Sequence, residues 1–340
     1  MTGVEKLSPP AGLDDGQLFD QLADVRARLA ASIGQVIVGQ EDVVNAMLVA
    51  LFSGGHCLFI GVPGLAKTLL VQATAQSLGL NFGRVQFTPD LMPSDITGSD
   101  VLDEDPATGR RELRFVPGPI FTNLLLADEV NRTPPRTQAA LLQAMQEGAV
   151  TTGGRTIRLE PPFQVFATQN PIEQEGPYPL PEAQLDRFML SIEVGYPSEA
   201  DEIAVVERTL TQRPAALEPV LSRETLLALQ GLVRRLPAND DVTRYAVRLA
   251  RATRPGPDSS DAVRRFVQWG AGPRASQFLA LGARARAALR GALTPQIDDV
   301  RAIAPYVLRH RVLLNFTAEA EGIRPDAVVQ KILDVVPTRG

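Results

Sequence analysis

Cysteine and histidine are almost absent from this chain of 340 residues. Cys57 is the only cysteine, and His56 and His310 are the only two histidines. A disulfide framework, a zinc site built from cysteine and histidine, and a cysteine–histidine catalytic pair therefore all lack parts. These classes of chemistry are excluded before any motif is considered.

Signal and membrane segments are missing as well. The sequence has no apolar run of about 18 residues, the length that marks a membrane-spanning helix, and it opens without a basic-then-apolar signal pattern. We therefore expect a cytoplasmic protein. A net charge of −5 and a pI near 5.3 argue against a dominant nucleic-acid-binding surface, although a local basic surface is compatible with them.

The length predicts two domains, because a single core rarely grows beyond about 250 to 300 residues. We predict a flexible leader over residues 1–16, a core domain over 17–198 and a helical domain over 199–340. In the core, strand-like and helix-like segments alternate, which predicts an α/β fold with a doubly wound parallel sheet. The later residues show helical periodicity with proline and glycine breaks and almost no strand signal.

A phosphate-binding loop is suggested by residues 58–70, which read "LFIGVPGLAKTLL" and contain one of only three lysines in the chain. The usual pattern is G-x-x-x-x-G-K-[ST], but here Ala66 precedes Lys67. An alanine in a left-handed conformation would cost about 1 to 2 kcal/mol. We therefore expect Ala66 to have a negative φ in the first helical turn, while Gly61 and Gly64 supply the unusual dihedrals and close approach.

In this interpretation the loop binds a nucleotide triphosphate. The amides of residues 64–68 point at the phosphates, Lys67 reaches the β- and γ-phosphates, and the Thr68 hydroxyl binds Mg²⁺. The loop follows a short apolar segment and opens a helix, which is the order that such a site requires.

Two adjacent acids, Asp128 and Glu129, end the apolar stretch "NLLLADE" about sixty residues after the loop. Buried carboxylates need a cation or hydrogen-bond donors to offset desolvation. We expect one of these carboxylates to hold the magnesium through water and the other to orient or deprotonate the attacking water.

Further candidates follow a third strand-like segment, "VFATQNP". Gln169 and Asn170 stand at its end, where an amide could hold the lytic water or touch the γ-phosphate. Asp186 and Arg187, in "PEAQLDRF", would in isolation be an ordinary surface ion pair. Arg132 and Arg136 either face a neighbouring subunit or decorate a helix start.

These motifs together resemble the MoxR family of AAA+ ATPases, from about Gln35 to Pro197 with a weaker echo to residue 311. MoxR-like sequences also usually place alanine before the loop lysine. The segments that carry the resemblance are "GVPGLAKT", "QFTPDLMPSDITG", "LLLADEVNR", "PPRTQAALLQAMQE", "ATQNPIEQEGPYPLPEAQLDRF" and "VGYPS".

The resemblance implies an AAA+ αβα core followed by an all-α lid, with ATP and Mg²⁺ bound between subunits of a ring, commonly a hexamer. It implies that Glu129, Asn170, Arg187 and Arg274 are catalytic: Glu129 and Asp128 as the Walker B pair, Asn170 as sensor 1, Arg187 as the arginine finger for a neighbouring subunit, and Arg274 as sensor 2. The expected metal ligands are Thr68 and Asp128. The expected nucleotide-binding residues are Gly39, Gln40, Gly61, Pro63, Gly64, Leu65, Ala66, Lys67, Thr68 and Leu69.

Two features leave alternatives open at this point. "GAGPRASQF" around Arg274 departs mildly from the family pattern, and Arg274 could act on its own nucleotide or on that of a neighbour. Residues 97–117 and 149–161 look like inserted β-hairpins. In relatives such inserts face the central pore or the substrate side, but exposed hairpins with few apolar residues could equally be inert.

Three functions are compatible with these residues. The first is an ATP-driven, chaperone-like machine that remodels or activates protein partners, and the resemblance implies a von Willebrand factor A domain protein as one partner class. The second is a nucleic-acid motor, for which the basic "GRRELR" segment is the best argument. The third is a nucleotide-gated assembly adaptor with negligible turnover.

Overall fold

The protein is described by a computed structural model that covers residues 14–104, 111–170, 178–211 and 216–338. The predicted leader, residues 1–16, lies almost entirely outside the described residues. Part of the segment that carries the family resemblance, residues 171–177, lies outside them too.

A five-stranded parallel sheet forms the centre of the core, with strand order β2-β5-β8-β1-β9. This confirms the predicted doubly wound sheet. Its central strands are short apolar runs buried on both faces, as parallel strands covered by helices must be. Because every strand runs the same way, their carboxyl ends meet at one edge. The strands are β1 (Cys57–Ile60), β2 (Phe82–Gln86), β5 (Leu124–Asp128), β8 (Gln164–Gln169) and β9 (Leu190–Glu193).

Helices cover both faces of the sheet. Helix α1 (Asp15–Gly34) has five apolar residues at helical spacing, from Leu18 to Ile33, and all of them are buried. The helix that follows Pro181 is short, α6 (Glu182–Leu185), because the chain then turns into β9. The other helices of the core are α2 (Glu41–Ser53), α3 (Lys67–Ser77), α4 (Pro93–Thr97) and α5 (Pro135–Glu147).

Both predicted hairpins are present as antiparallel pairs. The first joins β3 (Gly98–Glu104) to β4 (Arg111–Pro117), and the second joins β6 (Ala149–Thr152) to β7 (Arg155–Arg158). An ion pair of 3.0 Å between Arg155 and Asp100 links them. The first hairpin is more apolar at its surface than expected: Val101, Leu102, Leu113 and Val116 are exposed.

The later part of the chain is helical, with one addition to the prediction. A short antiparallel pair joins β10 (Val267–Trp269) to β11 (Leu313–Leu314). These strands have only three and two residues, which is too short to produce a recognisable strand pattern in the sequence. Within the described residues, no helix is both long and apolar enough to cross a membrane. The helices are α7 (Glu199–Thr211), α8 (Arg223–Arg235), α9 (Asp240–Ala252), α10 (Asp261–Phe266), α11 (Pro273–Leu289), α12 (Ile297–Leu308), α13 (Phe316–Ala320) and α14 (Pro325–Val335).

Candidate active site

A cleft of about 410 Å³ lies at the carboxyl edge of the sheet, where the β1–α3 loop meets the ends of β5 and β8. All eight predicted loop residues between Gly61 and Leu69 line it. Asp128, Glu129 and Asn170 line the same cleft. The parallel sheet therefore gathers into one space the groups that the sequence distributes over more than a hundred residues.

The conformation predicted for Ala66 is wrong. Ala66 has φ +56° and ψ +18°, a left-handed conformation, and it caps α3 instead of belonging to its first turn. The helix begins one residue later, at Lys67. A left-handed alanine costs about 1 to 2 kcal/mol, so the loop geometry is maintained here against the local preference of the residue.

Of the two glycines of the loop, only Gly64 is among the described residues with a positive φ. Gly64 has φ +85°, which favours glycine. Gly61 lies so near β9 that a Cβ atom there would come within 2.6 Å of the Val194 carbonyl oxygen. Gly64 thus supplies an unusual dihedral angle, and Gly61 supplies close packing of the loop against the sheet.

The side chain of Lys67 points back toward its own loop. Its Nζ donates hydrogen bonds of 2.6 Å to the carbonyl oxygens of both Gly61 and Val62. Burial lowers the pKa of Lys67, and the nearby carboxylates of Asp128 and Glu129 oppose that shift. The cation is therefore held within the cleft, near the two acids.

Asp128 is bound by two side chains. Thr168 Oγ1 donates to Asp128 Oδ1 over 2.6 Å, and Arg84 donates to Oδ2 over 2.7 Å. The Asp128 side chain is only 14% exposed, and a carboxylate so enclosed needs such donors. Thr68 and Asp128 supply a hydroxyl and a carboxylate oxygen in one cleft, which is the donor set that Mg²⁺ prefers.

Glu129 is also held in place. Gln86 Nε2 and Arg132 both donate to Glu129 Oε2, each over 2.7 Å. The backbone of Glu129 is left-handed, with φ +58°, and its amide donates to Thr168 Oγ1 over 2.8 Å. This turn after β5 directs the two consecutive acids to separate partners within the cleft.

Three polar residues of the cleft were not among the predicted site residues: Arg84, Gln86 and Thr168. Arg84 and Gln86 alternate along β2, so both point to the same side of the sheet. This alternation was a signal in the sequence. It could not be used, because the sequence does not reveal that β2 pairs with β5 and sets Gln86 opposite Asp128.

Gly39 and Gln40 lie beside the loop. Both have positive φ, at 65° and 57°, and Gln40 caps α2. The side-chain amide of Gln40 contacts the Leu65 carbonyl oxygen at 3.4 Å. Asp201 packs so closely on Gly39 that a Cβ atom there would come within 2.8 Å of its carboxyl group.

Arg187 lies at the other edge of the sheet. It precedes β9, whose first residue, Leu190, pairs with Cys57 at the start of β1, whereas the loop follows the end of β1. The strand alone separates these edges by roughly 10 Å. Arg187 donates a 2.6 Å hydrogen bond to the Leu142 carbonyl oxygen in α5.

Arg274 lies near that same edge, because its guanidinium group donates to Asp186 Oδ2 over 2.9 Å. Asp186 is the neighbour of Arg187 in the chain. Of the described residues that line the cleft, none belongs to residues 182–189 or to the helical part of the chain. The predicted residues thus form two groups, one in the cleft and one at the opposite edge.

Comparison with known proteins agrees with the fold. Residues 56–190 match the ATPase family associated with various cellular activities (AAA), and residues 260–332 match the AAA lid domain. The chain is 45% identical over 310 residues to "Chaperone MoxR1" of Mycobacterium tuberculosis, which covers 91% of this chain and 81% of that one. It belongs to the MoxR family of AAA+ ATPases.

Two further proteins match this MoxR-family chain over almost its whole length. An "Uncharacterized protein YeaC" of Bacillus subtilis is 42% identical over 320 residues, covering 93% of this chain and 96% of that one. The crystal structure of a candidate ATPase from Cytophaga hutchinsonii superposes with a TM-score of 0.87 at 38% identity, covering 95% and 97%. The helical part of this MoxR-family chain accordingly contains an AAA lid, which residues 260–332 match.

Proposed function

We propose that this protein binds Mg-ATP in the cleft and hydrolyses it between the subunits of a ring, commonly a hexamer in this family. The observation that supports the proposal most strongly is the convergence of Lys67, Thr68, Asp128, Glu129 and Asn170 on one cleft. In the same proposal, the core extends over residues 17–198 and the lid over 199–340.

Binding rests on the loop. The amides of residues 64–68 and the Lys67 ammonium bind phosphate oxygens, so Lys67 exchanges its contacts with the Gly61 and Val62 carbonyls for contacts with the nucleotide. Gly39 and Gln40, which adjoin the loop, lie near the adenine. Thr68 and Asp128 would hold Mg²⁺, which when bound would offset the negative charge of the phosphates.

Hydrolysis rests on Glu129 and Asn170. Glu129 orients a water molecule and accepts its proton, and the Asn170 amide steadies that water or contacts the γ-phosphate. The hydrogen bonds from Gln86 and Arg132 to Glu129 Oε2 keep this carboxylate in one orientation.

Arg187 and Arg274 act on the nucleotide of the neighbouring subunit. Both are associated with the edge of the sheet opposite to their own cleft, with Arg274 bound to the residue before Arg187. An arginine supplied from outside contributes about 10³ to 10⁵ in rate. An isolated subunit should therefore turn over very slowly, and assembly completes the active site.

The ATP cycle remodels or activates a protein partner in this proposal. The chaperone name of the Mycobacterium tuberculosis relative supports that class of activity, and a von Willebrand factor A domain protein is the partner class that the family resemblance suggests. The exposed Leu102 and Leu113, which face each other across the first hairpin, offer an apolar contact for such a partner.

A nucleic-acid motor has less support. Of the basic "GRRELR" segment, Arg111 pairs with Glu104 at 2.8 Å and Arg114 with Asp103 at 3.3 Å. These acids reduce the positive potential that a phosphate backbone would need. Salt-sensitive stimulation of hydrolysis by DNA or RNA would favour the motor, and a long-lived ATP complex with intact Glu129 would favour the adaptor.

The proposal is tested with paired substitutions in the full chain. Glu129→Gln should bind Mg-ATP like the wild type but stop hydrolysis, and Lys67→Ala should lose binding. Glu147→Gln and Lys331→Ala are matched controls outside the cleft and should leave both unchanged. Lys67→Ala with wild-type affinity by calorimetry would overturn the nucleotide site.

Arg187→Ala tests the contribution from a neighbouring subunit. We expect normal binding and a loss of hydrolysis of about 10³-fold or more. Unchanged hydrolysis by the assembled Arg187→Ala protein would exclude this role. Proteins that copurify with Glu129→Gln, but not with Lys67→Ala, would identify the partner class.

A further inference from the structure

One core carboxylate, that of Asp186, binds two arginines of the lid. Its Oδ2 accepts from Arg274 at the start of α11 over 2.9 Å, and its Oδ1 accepts from Arg311, after α12, over 2.8 Å. The two lid elements thus meet on the residue that precedes Arg187. In the part of the chain that the structure describes, Asp186 is the only neighbour of Arg187 that forms two ion pairs with the lid.

Arg311 also binds the backbone on both sides of Arg187. Its guanidinium group donates to the carbonyl oxygens of Asp186 at 2.9 Å, Phe188 at 2.6 Å and Met189 at 3.3 Å. It packs over the Phe278 ring of α11, 5.1 Å from the ring centroid. A single lid side chain therefore fixes the backbone before and after Arg187.

This contact is costly to break. The Arg311 side chain is 2% exposed, and its burial lowers its pKa to about 10, which leaves it charged at neutral pH. A buried charge that loses its partner is strongly destabilising. If the lid rotates, residues 186–189 must therefore move with it, because otherwise the Arg311 guanidinium group would be buried and unpaired.

We propose that Asp186 and Arg311 are positioning residues that present Arg187 to the neighbouring subunit, so that the orientation of the lid controls the hydrolysis rate in the next cleft. This inference rests on the proposed hydrolysis between subunits. It adds that Asp186 acts through Arg187 and not through the cleft of its own chain.

Steady-state kinetics with Asp186→Asn give the first test. Because the cleft of the same chain is intact, KM for ATP should stay within about twofold while kcat falls about 10- to 100-fold, the loss expected for a group displaced by about 1 Å. In an Arg187→Ala background, Asp186→Asn should cause little further loss, because the residue through which it acts is absent.

Mixed assemblies give the second test. Glu129→Gln subunits cannot hydrolyse but carry a normal Arg187, whereas Asp186→Asn subunits have a normal cleft. Mixing the two should restore activity above that of either alone, because the intact Arg187 of one serves the intact cleft of the other. Mixtures of Glu129→Gln with Arg187→Ala should behave in the same way.

Glu321→Gln is the matched control, because Glu321 also forms an ion pair with a lid arginine, Arg265 at 2.6 Å, but both residues belong to the lid and are partly exposed. Its effect on kcat should be small and should add to that of Arg187→Ala. If Asp186→Asn does not fold, Arg311→Lys keeps the charge, removes the multiple carbonyl contacts and serves the same test.

The outcomes separate the two proposals. The proposed function itself would be contradicted if the wild type did not hydrolyse ATP, or if Arg187→Ala hydrolysed ATP as fast as the wild type. Wild-type kcat for Asp186→Asn, full additivity with Arg187→Ala, or recovery in mixtures that contain Arg187→Ala but not in those that contain Asp186→Asn would overturn the positioning role alone. Absence of recovery in both mixtures would contradict the proposed hydrolysis between subunits.

Discussion

Thr168 Oγ1 donates a 2.6 Å hydrogen bond to Asp128 and accepts a 2.8 Å hydrogen bond from the amide of Glu129. One hydroxyl group thus joins the end of β8 to the turn that carries both acids of the cleft. Thr168 is 1% exposed, so water cannot replace these bonds easily. The orientation of Asp128 relative to Glu129 therefore depends on a residue of the adjacent strand.

Thr168→Val should reduce both stability and hydrolysis. The change keeps the shape but leaves an amide and a carboxylate oxygen short of a partner, which costs about 1 to 3 kcal/mol. Urea unfolding and ATPase rate would measure the two effects, with Thr168→Ser as the control that retains the hydroxyl. Equal losses in the serine and valine variants would indicate that packing of the methyl group matters and the hydrogen bonds do not.

Ala66→Gly should relieve the left-handed conformation of the loop. Relief of about 1 to 2 kcal/mol in the native state is partly cancelled by the greater freedom of glycine in the unfolded chain, so we expect a net gain of up to about 1 kcal/mol. Ala66→Val should destabilise, since β-branched residues tolerate positive φ poorly. Denaturant midpoints of the three proteins test this order. A wild type more stable than Ala66→Gly would show that packing of the Ala66 methyl outweighs the strain.

The sequence was sufficient for the cleft wherever the signal was local. The loop, Asp128, Glu129 and Asn170 each follow a short apolar strand, and a parallel sheet brings strand ends to one edge. Arg84 and Gln86 were missed because their role depends on strand order, which no local pattern encodes. The conformation of Ala66 was mispredicted because its intrinsic preference was given more weight than the geometry that the rest of the loop imposes.

The position of Arg274 in the fold could not be predicted from the sequence either. The motif predicts a residue with a role in hydrolysis, but its partner, Asp186, lies 88 residues away in the chain. Only the packing of the lid against residues 186–189 shows that the two meet. Pairings across domains of this kind depend on the relative placement of whole helices.

Asp299→Asn should destabilise the lid substantially. The Asp299 side chain is 1% exposed and binds Arg286 at 2.6 Å and Arg290 at 2.9 Å, and it also accepts from the Gln296 amide at the start of α12. Burial would raise the pKa of its carboxyl group, but these hydrogen bonds outweigh burial and lower it. We expect a loss of about 2 to 4 kcal/mol.

Asp298→Asn is the control for that prediction, because Asp298 is the exposed neighbour of Asp299 in the same helical turn. Its substitution should change stability by no more than about 0.5 kcal/mol. Chemical denaturation of the two variants at neutral pH gives the comparison. Similar midpoints for both would mean that the ion pairs of Asp299 contribute little beyond their own desolvation cost.

His56 should lower the free energy of unfolding in mild acid. Its Nδ1 accepts from the Val165 amide at 2.9 Å, so the proton of the neutral ring lies on Nε2, which donates to the Met145 carbonyl oxygen at 3.1 Å. Burial lowers the pKa of His56 to about 4, although the bond to Met145 opposes the shift. In the unfolded chain the pKa is about 6.5.

Between these two pKa values the unfolded chain binds a proton at His56 that the native protein does not bind, so stability falls as the pH falls. The contribution is complete above the unfolded pKa, and at pH 5 about 2 kcal/mol of it should be lost. Urea unfolding at pH 7.5 and pH 5 should show a smaller difference for His56→Gln than for the wild type. His310 is present in both proteins, so its own titration cancels in that comparison, and an identical pH dependence would mean that native His56 accepts the proton without loss of packing.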